Sequence, residues 1–196
     1  MERKTDRRSI KTQTALKNAL AVLIKDKPLQ EITVAELTVR ADIHRATFYS
    51  HYEDIFDLYR DFENDILGKL TGIFDDEALT SYQSFYSALL DYIDQNPLWA
   101  KAVISASERS MQSLLFQDIV EYLLSACMEA WRRENKGMEI TPQIEYFAQF
   151  RVHGIIAMIG HWIHTDYSIP LTELKAMIAG LDQQADTFIV GYYKNS

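Results

Sequence analysis

The chain of 196 residues and 22.7 kDa is long enough for one large domain or two small ones with a substantial buried core, which excludes a stapled mini-protein or a disordered tail. Hydrophobic residues at 47% and charged residues at 24% lie near the globular average, and a single cysteine excludes an internal disulfide and every CxxC metal or redox spacing. The net charge of −8 hides a division, because residues 1–51 carry ten Lys and Arg against six Asp and Glu, a local +4, whereas the remainder carries ten against 22, or −12. A basic first quarter on an acidic body points to a segment that meets a polyanion and a body that does not.

The charged opening Met1 to Arg8 is not followed by a signal-type apolar run. The longest weakly polar stretch, Gly154 to Ile163, contains His161 and falls far short of the roughly 20 residues that span a bilayer. No membrane span and a cytoplasmic location are expected.

Apolar residues recur at helical spacing almost throughout and strand-like alternation is sustained nowhere, so the expected class is all-α. Between Lys11 and Lys25, the residues Leu16, Ala19, Leu20, Leu23 and Ile24 form one apolar stripe, ended by Lys27-Pro28. Thr33-Val34-Ala35-Glu36 has the form of a capping box and starts a short helix that buries Val34, Leu37 and Ala41. A turn at Asp42 leads to a second short helix held by Phe48 and Tyr52, and the pair makes a helix-turn-helix. Beyond Glu53 longer helices are expected at about 54–72, 81–95, 97–106, 108–136, 142–165 and 170–193, with Pro97, Pro142 and Pro170 in first turns. The organisation is then a three-helix amino-terminal domain, 1–53, and a larger helical domain, 54–196.

With Phe48 and Tyr52 facing the core, the opposite face of residues 44–52 presents Ala46, Thr47, Tyr49 and Ser50, flanked by Arg45 and His51. Hydroxyls, an imidazole and a guanidinium can bond phosphates or base edges, Ala46 allows close approach, and no acidic residue lies between Ile43 and Tyr52. An ordinary solvated helix face has the same pattern.

The run Thr33-Val34-Ala35-Glu36-Leu37-Thr38-Val39-Arg40-Ala41-Asp42-Ile43-His44-Arg45-Ala46-Thr47-Phe48-Tyr49-Ser50-His51-Tyr52, followed by Asp57-Leu58, resembles the DNA-binding signature of the TetR/AcrR family of transcriptional regulators. The resemblance covers roughly Arg7 to Phe62 and is most specific at residues 47–52. It implies a regulator with no enzymatic activity and no cofactor that binds a double-stranded DNA operator. Thr33 would reach a phosphate while capping its helix, and Thr47, Tyr49 and His51 would lie on the groove-facing helix; Arg45, Ala46 and Ser50, from the helix face itself, and His44 complete the candidate DNA-binding set. Three departures stand out. Asp42 replaces the usual turn glycine, His44 replaces a small polar residue, and Ile55 stands where many members carry a phosphate-contacting lysine, so that contact is not carried over. Arg7, Arg8 and Lys11 precede or open the first helix, where they either contact DNA or form a solvated tail.

Gly154-Ile155-Ile156, Trp162 and Pro170-Leu171-Thr172-Glu173-Leu174 resemble the carboxy-terminal region of a subgroup of such regulators from low-GC bacteria. By implication the helices at about 142–165 and 170–193 pair with their copies in a homodimer, a role that the small residues Gly154, Ala157 and Gly160 suit; packing within one subunit is the alternative. By the same analogy an unidentified small-molecule effector binds between helices of 81–165, with Trp99, Tyr122, Trp131, Tyr146 and Arg151 as candidates. A buried Arg151 needs an acidic partner, either a ligand carboxylate or an acidic residue of the chain. His161 and His164 share a helix face with His153 nearby, a weak metal pattern that reads as structural or solvated histidines. The expected function is a ligand-responsive repressor; a helical coregulator acting through a partner protein is the alternative.

Overall fold

The computed structural model describes residues 2–74, 81–109, 114–135 and 139–194. Among these there is no strand. The helices are α1 (Glu2–Asp26), α2 (Val34–Ala41), α3 (Arg45–Tyr49), α4 (Ile55–Phe74), α5 (Tyr82–Gln95), α6 (Pro97–Arg109), α7 (Leu114–Glu134), α8 (Pro142–His164) and α9 (Leu171–Lys194), with a 3-10 turn at Leu29–Glu31. The chain divides into two compact units, Met1–Lys69 with Asn96–Ser113, and Leu70–Gln95 with Leu114–Ser196. Helices from beyond residue 53 therefore complete the unit that carries the helix-turn-helix.

In the first unit the expected stripe of α1 is buried, with Leu16 and Leu20 fully enclosed, and Leu37, Phe48, Leu58 and Phe62 of the following helices are enclosed as well. The Trp99 ring of α6 packs edge-on against Phe62 at 5.3 Å, and its indole N–H donates to Asn18 Oδ1 at 2.9 Å. The Lys27 ammonium pairs with Glu36, so the segment after α1 is tied to α2.

In the second unit α8 buries Ile144, Ala148, Val152, Ile155, Ile159, Trp162 and Ile163, a stripe at helical spacing that faces the core. Trp131 of α7, Ile144 and Ile189 form a cluster to which Met128, Ile140 and Phe147 add their sides. Polar ties cross between helices. Lys175 Nζ of α9 meets Asp91 Oδ1 of α5 at 2.6 Å, and the Arg151 guanidinium of α8 pairs with Asp182 and, at 2.8 Å, with Asp186 of α9. Burial alone would lower the pKa of Arg151, but the hydrogen bond and charge of Asp182, with the charge of Asp186, outweigh it and raise it. The turn between α8 and α9 is closed by Trp162, whose indole donates to Ile169 O at 2.8 Å.

Several boundaries differ from the sequence expectation. α4 runs through Gly72 to Phe74, and α6 runs through Ser105 to Arg109 in place of the expected break. A glycine or serine lowers helix propensity by about 1 kcal/mol or less, too little to end a helix by itself. Residues 108 and 109, expected to open the next helix, belong to α6, and the described α7 is Leu114–Glu134. Pro97 and Pro142 are the first residues of their helices, but Pro170 sits one position before α9, where its carbonyl accepts from Leu174 N. The expected breaks at 75–80 and at Lys136-Gly137 lie outside the described residues.

Candidate nucleic-acid interface

The helix-turn-helix is built from local signals that each have a visible partner. Thr33 is the N-cap of α2, and its Oγ1 accepts from Glu36 N at 3.2 Å. Glu36 directs its carboxylate to Lys27. The far end of α2 closes at Asp42, whose φ of 54° and ψ of 48° place it in the left-handed region. Asp42 N donates to Val39 O at 3.2 Å and Ile43 N to Thr38 O at 3.0 Å, the paired bonds of a Schellman motif, in which glycine is the usual residue. The short side chain of Asp tolerates this backbone better than most.

His44 is the N-cap of α3 through its backbone, and its ring makes no capping hydrogen bond. α3 has five helical residues and is followed by a tightened turn, in which Ser50 N reaches Thr47 O at 3.3 Å and His51 N reaches Phe48 O at 2.9 Å. The core and outer faces are sharply separated: Phe48 is fully buried and Tyr52 5% exposed, whereas Tyr49 is 60% exposed. His44, Arg45, Ala46 and Ser50 are exposed, Thr47 and His51 half-buried, and Thr33 is exposed at the start of α2. These eight residues thus lie on one short stretch of the first unit. Ile55 is buried, 6% exposed. α4 is capped by Asp54, whose Oδ1 accepts from Asp57 N at 2.8 Å, while Asp57 Oδ2 accepts from Glu53 N at 3.0 Å. Arg7, Arg8 and Lys11 do not precede α1 but lie within it, with exposed side chains.

A polar cluster that sequence reasoning missed lies behind this face. Lys17 of α1, 5% exposed, directs its ammonium to Asp61 Oδ2 at 2.8 Å and to Asp65, both on α4. The Tyr52 hydroxyl donates to the same Asp61 Oδ2 at 2.6 Å. Burial would raise the pKa of Asp61, but the hydrogen bonds from Lys17 and Tyr52 and the lysine charge outweigh it and hold the carboxyl below its ordinary value. Burial, then the hydrogen bond to Asp61 and the nearby carboxylates, raises the Tyr52 hydroxyl. The sequence signal for this cluster is a lysine set inside the apolar stripe of α1, next to Leu16.

The family model described as transcriptional regulator C-terminal region, of the TetR type, matches residues 80–183, just over half of the chain. The chain belongs to the TetR family of transcriptional regulators. A curated relative, the uncharacterized HTH-type transcriptional regulator YxbF of Bacillus subtilis (strain 168), is 42% identical over 52 residues, which cover 26% of this chain and 14% of that protein's length. The TetR transcriptional regulator from Streptococcus agalactiae 2603V has the same fold, with a TM-score of 0.61 and 20% identity over 91% of this chain and 99% of that one. A further structure of this fold is the dihydroxyacetone kinase operon activator DhaS, with a TM-score of 0.55 and 16% identity over 87% of this chain and 93% of that one. Membership places the chain in an all-α, non-enzymatic family of DNA-binding transcription regulators. The amino-terminal unit carries the helix-turn-helix of that TetR fold.

The effector candidates are scattered. Trp99 is half-buried in the first unit, where it contacts Phe62 and Asn18. The other four belong to the second: Trp131 is buried in a core cluster, Tyr122 is half-buried, Tyr146 is 78% exposed, and the acidic partners of Arg151 are Asp182 and Asp186 of the same chain. Among the described residues no group of three or more His, Cys, Asp or Glu is placed to hold a metal ion, and none of the helices is long and apolar enough to cross a membrane.

α8 and α9 also present an apolar groove of about 610 Å³, lined by Tyr146, Phe150, Gly154, Met158, Leu181 and Phe188 among others. Tyr146, Phe150, Leu181 and Phe188 are each more than half exposed. A Cβ built on Gly154 or Gly180 would meet no atom within 4 Å, so packing inside the chain does not require glycine at either position.

Proposed function

We propose that the chain is a cytoplasmic, ligand-responsive repressor that binds a palindromic operator as a homodimer. The observation that carries the reading is the exposed face of His44, Arg45, Ala46, Thr47, Tyr49, Ser50 and His51 opposite a fully buried Phe48. Arg45 is suited to a guanine edge or a phosphate, Ala46 to close approach or a thymine methyl, and Thr33 to a phosphate beside its cap. DNA contact is assigned to residues 1–53, and effector binding and dimerisation to 54–196.

A single helix-turn-helix buries little surface for a typical specific affinity, which favours two copies on a two-fold site. The apolar groove of α8 and α9 supports this, because contiguous exposed aromatics mark an interaction surface and glycines open to solvent admit a second helix. An effector would act by changing the separation or tilt of the two recognition helices.

Selection from a random DNA pool, with sedimentation of the protein alone, tests the proposal. The expected outcome is an enriched palindrome and a dimer. Thr47→Ala or Tyr49→Ala should weaken binding to the enriched duplex by about 1–3 kcal/mol with an unchanged melting temperature. A pool without enrichment would favour the coregulator reading, and transcription from a promoter overlapping the selected site gives the sign of regulation.

A further inference from the structure

α3 is five residues long and lacks a side-chain cap at His44, so it cannot hold its own conformation; isolated helices below roughly 12–15 residues are marginal in water. Its orientation must come from what anchors it. Phe48 supplies one anchor in the last turn of the helix, a buried ring 5.9 Å from the Tyr52 ring. An apolar contact fixes position but little direction, because dispersion and burial are not directional. The second anchor is directional. At the carboxy-terminal end of the stretch, the Tyr52 hydroxyl donates to Asp61 Oδ2 at 2.6 Å, and that same oxygen receives the buried Lys17 ammonium at 2.8 Å. Asp65 holds Lys17 from one turn further along α4. A single carboxylate oxygen thus joins α1, α4 and the exit of α3.

We propose that Tyr52 and Asp61 are positioning residues for DNA recognition: their bond, clamped by Lys17, sets the direction in which the face of α3 is presented. The inference rests on the reading that this face meets DNA. Charge-assisted hydrogen bonds to an ionised carboxylate are short and strong, which suits an anchor that must resist rotation. The ring of Tyr52 packs on Phe48 with or without its oxygen, so the hydroxyl is the part assigned to aiming.

The experiment uses the full chain and two duplexes, a palindrome enriched by the wild type from a random pool and an unrelated sequence of equal length. Tyr52→Phe and Asp61→Asn should each lower affinity for the enriched duplex by about tenfold, and the double variant should lose no more than either, the signature of one coupled pair. Affinity for the unrelated duplex, which reports phosphate contact rather than aim, should change by less than about twofold. Without DNA, amide hydrogen exchange at Ser50, His51 and Tyr52 should quicken in Tyr52→Phe while that of α2 stays as in the wild type. Wild-type affinity in Tyr52→Phe, multiplying losses in the double variant, or equal loss on both duplexes would each overturn the proposal. Tyr49→Ala, run alongside, separates the two ways of failing. If it too binds the enriched duplex as the wild type does, the DNA-facing reading of α3 has failed; if it alone loses affinity, only the anchor has. Should Asp61→Asn not fold, Tyr52→Phe carries the test through affinity and exchange.

Discussion

Asp61 illustrates how one carboxylate can serve stability and still carry a readable pH signature. Burial pushes its pKa up, but two hydrogen bonds and the Lys17 charge push it down further, so the folded chain holds its proton less tightly than the unfolded chain does. A group whose folded pKa is depressed contributes stability that is present above the unfolded value and lost as the pH falls through the folded one. The ordinary value is 3.8, so this contribution fades below about pH 4. Because Asp61 is 37% exposed, solvent screens part of the effect, and the size is set by measurement rather than by the shift. Urea midpoints at pH 5 and pH 3 are the check. The wild type should lose more stability between them than Asp61→Asn, since the asparagine has no proton to gain; equal losses would mean that the Lys17–Asp61 pair adds nothing to acid sensitivity. The Tyr52 hydroxyl, raised by burial and by Asp61, keeps its proton throughout this range, so the bond to Asp61 weakens only as the carboxyl loses its charge.

The α2–α3 junction is where a sequence rule and its exception meet. Asp42 occupies the left-handed position of the Schellman motif, a conformation that costs an L-residue roughly 1–2 kcal/mol and glycine almost nothing. Asp42→Gly should therefore stabilise the chain by up to about 1 kcal/mol, less the larger entropy that glycine has when unfolded. Chemical denaturation of the two proteins measures this, and a destabilised variant would show that the aspartate contributes something the backbone argument omits. Helices with a strong apolar stripe and a punctuating residue were legible in the sequence: α1 from Leu16, Leu20 and Leu23, α2 from Thr33, and α8 from Pro142 with its run of isoleucines. The candidate interface was legible for the same reason, because Phe48 and Tyr52 at i and i+4 fix which face turns outward. The extensions of α4 past Gly72 and of α6 past Ser105 were not, because a single weak helix former lowers propensity by too little to break a helix. Nor could periodicity reveal ties between positions 48 residues apart, such as Lys17 with Asp65, or 31 apart, such as Arg151 with Asp182. Those pairings exist only once helices have packed, and a charged residue in an apolar stripe gives only the hint that some partner must exist.

For the whole molecule, the positive charge and the apolar groove fall on different parts of the chain. The stretch 1–51 carries +4 and the remainder −12, while the exposed aromatics that line the groove, Tyr146, Phe150 and Phe188, belong to α8 and α9. A polyanion is drawn to the first and repelled by the second, so salt dependence should report on the first quarter of the chain alone. Each phosphate neutralised adds about 0.9 to the slope of log affinity against log salt on duplex DNA. Arg7, Arg8 and Lys11 are exposed on α1, and Arg45 opens α3. Alanine at Arg7 or Arg8 should lower the slope by up to roughly one unit for each phosphate that is no longer neutralised, and should weaken binding nearly uniformly across sequences. Alanine at Arg132 or Arg133, both exposed in the last turn of α7, should leave the slope unchanged. Titrations between about 50 and 200 mM salt have the range to resolve one unit. A slope that falls only with the α7 arginines would move the DNA surface to the acidic part of the chain and overturn the assignment of DNA binding to residues 1–53.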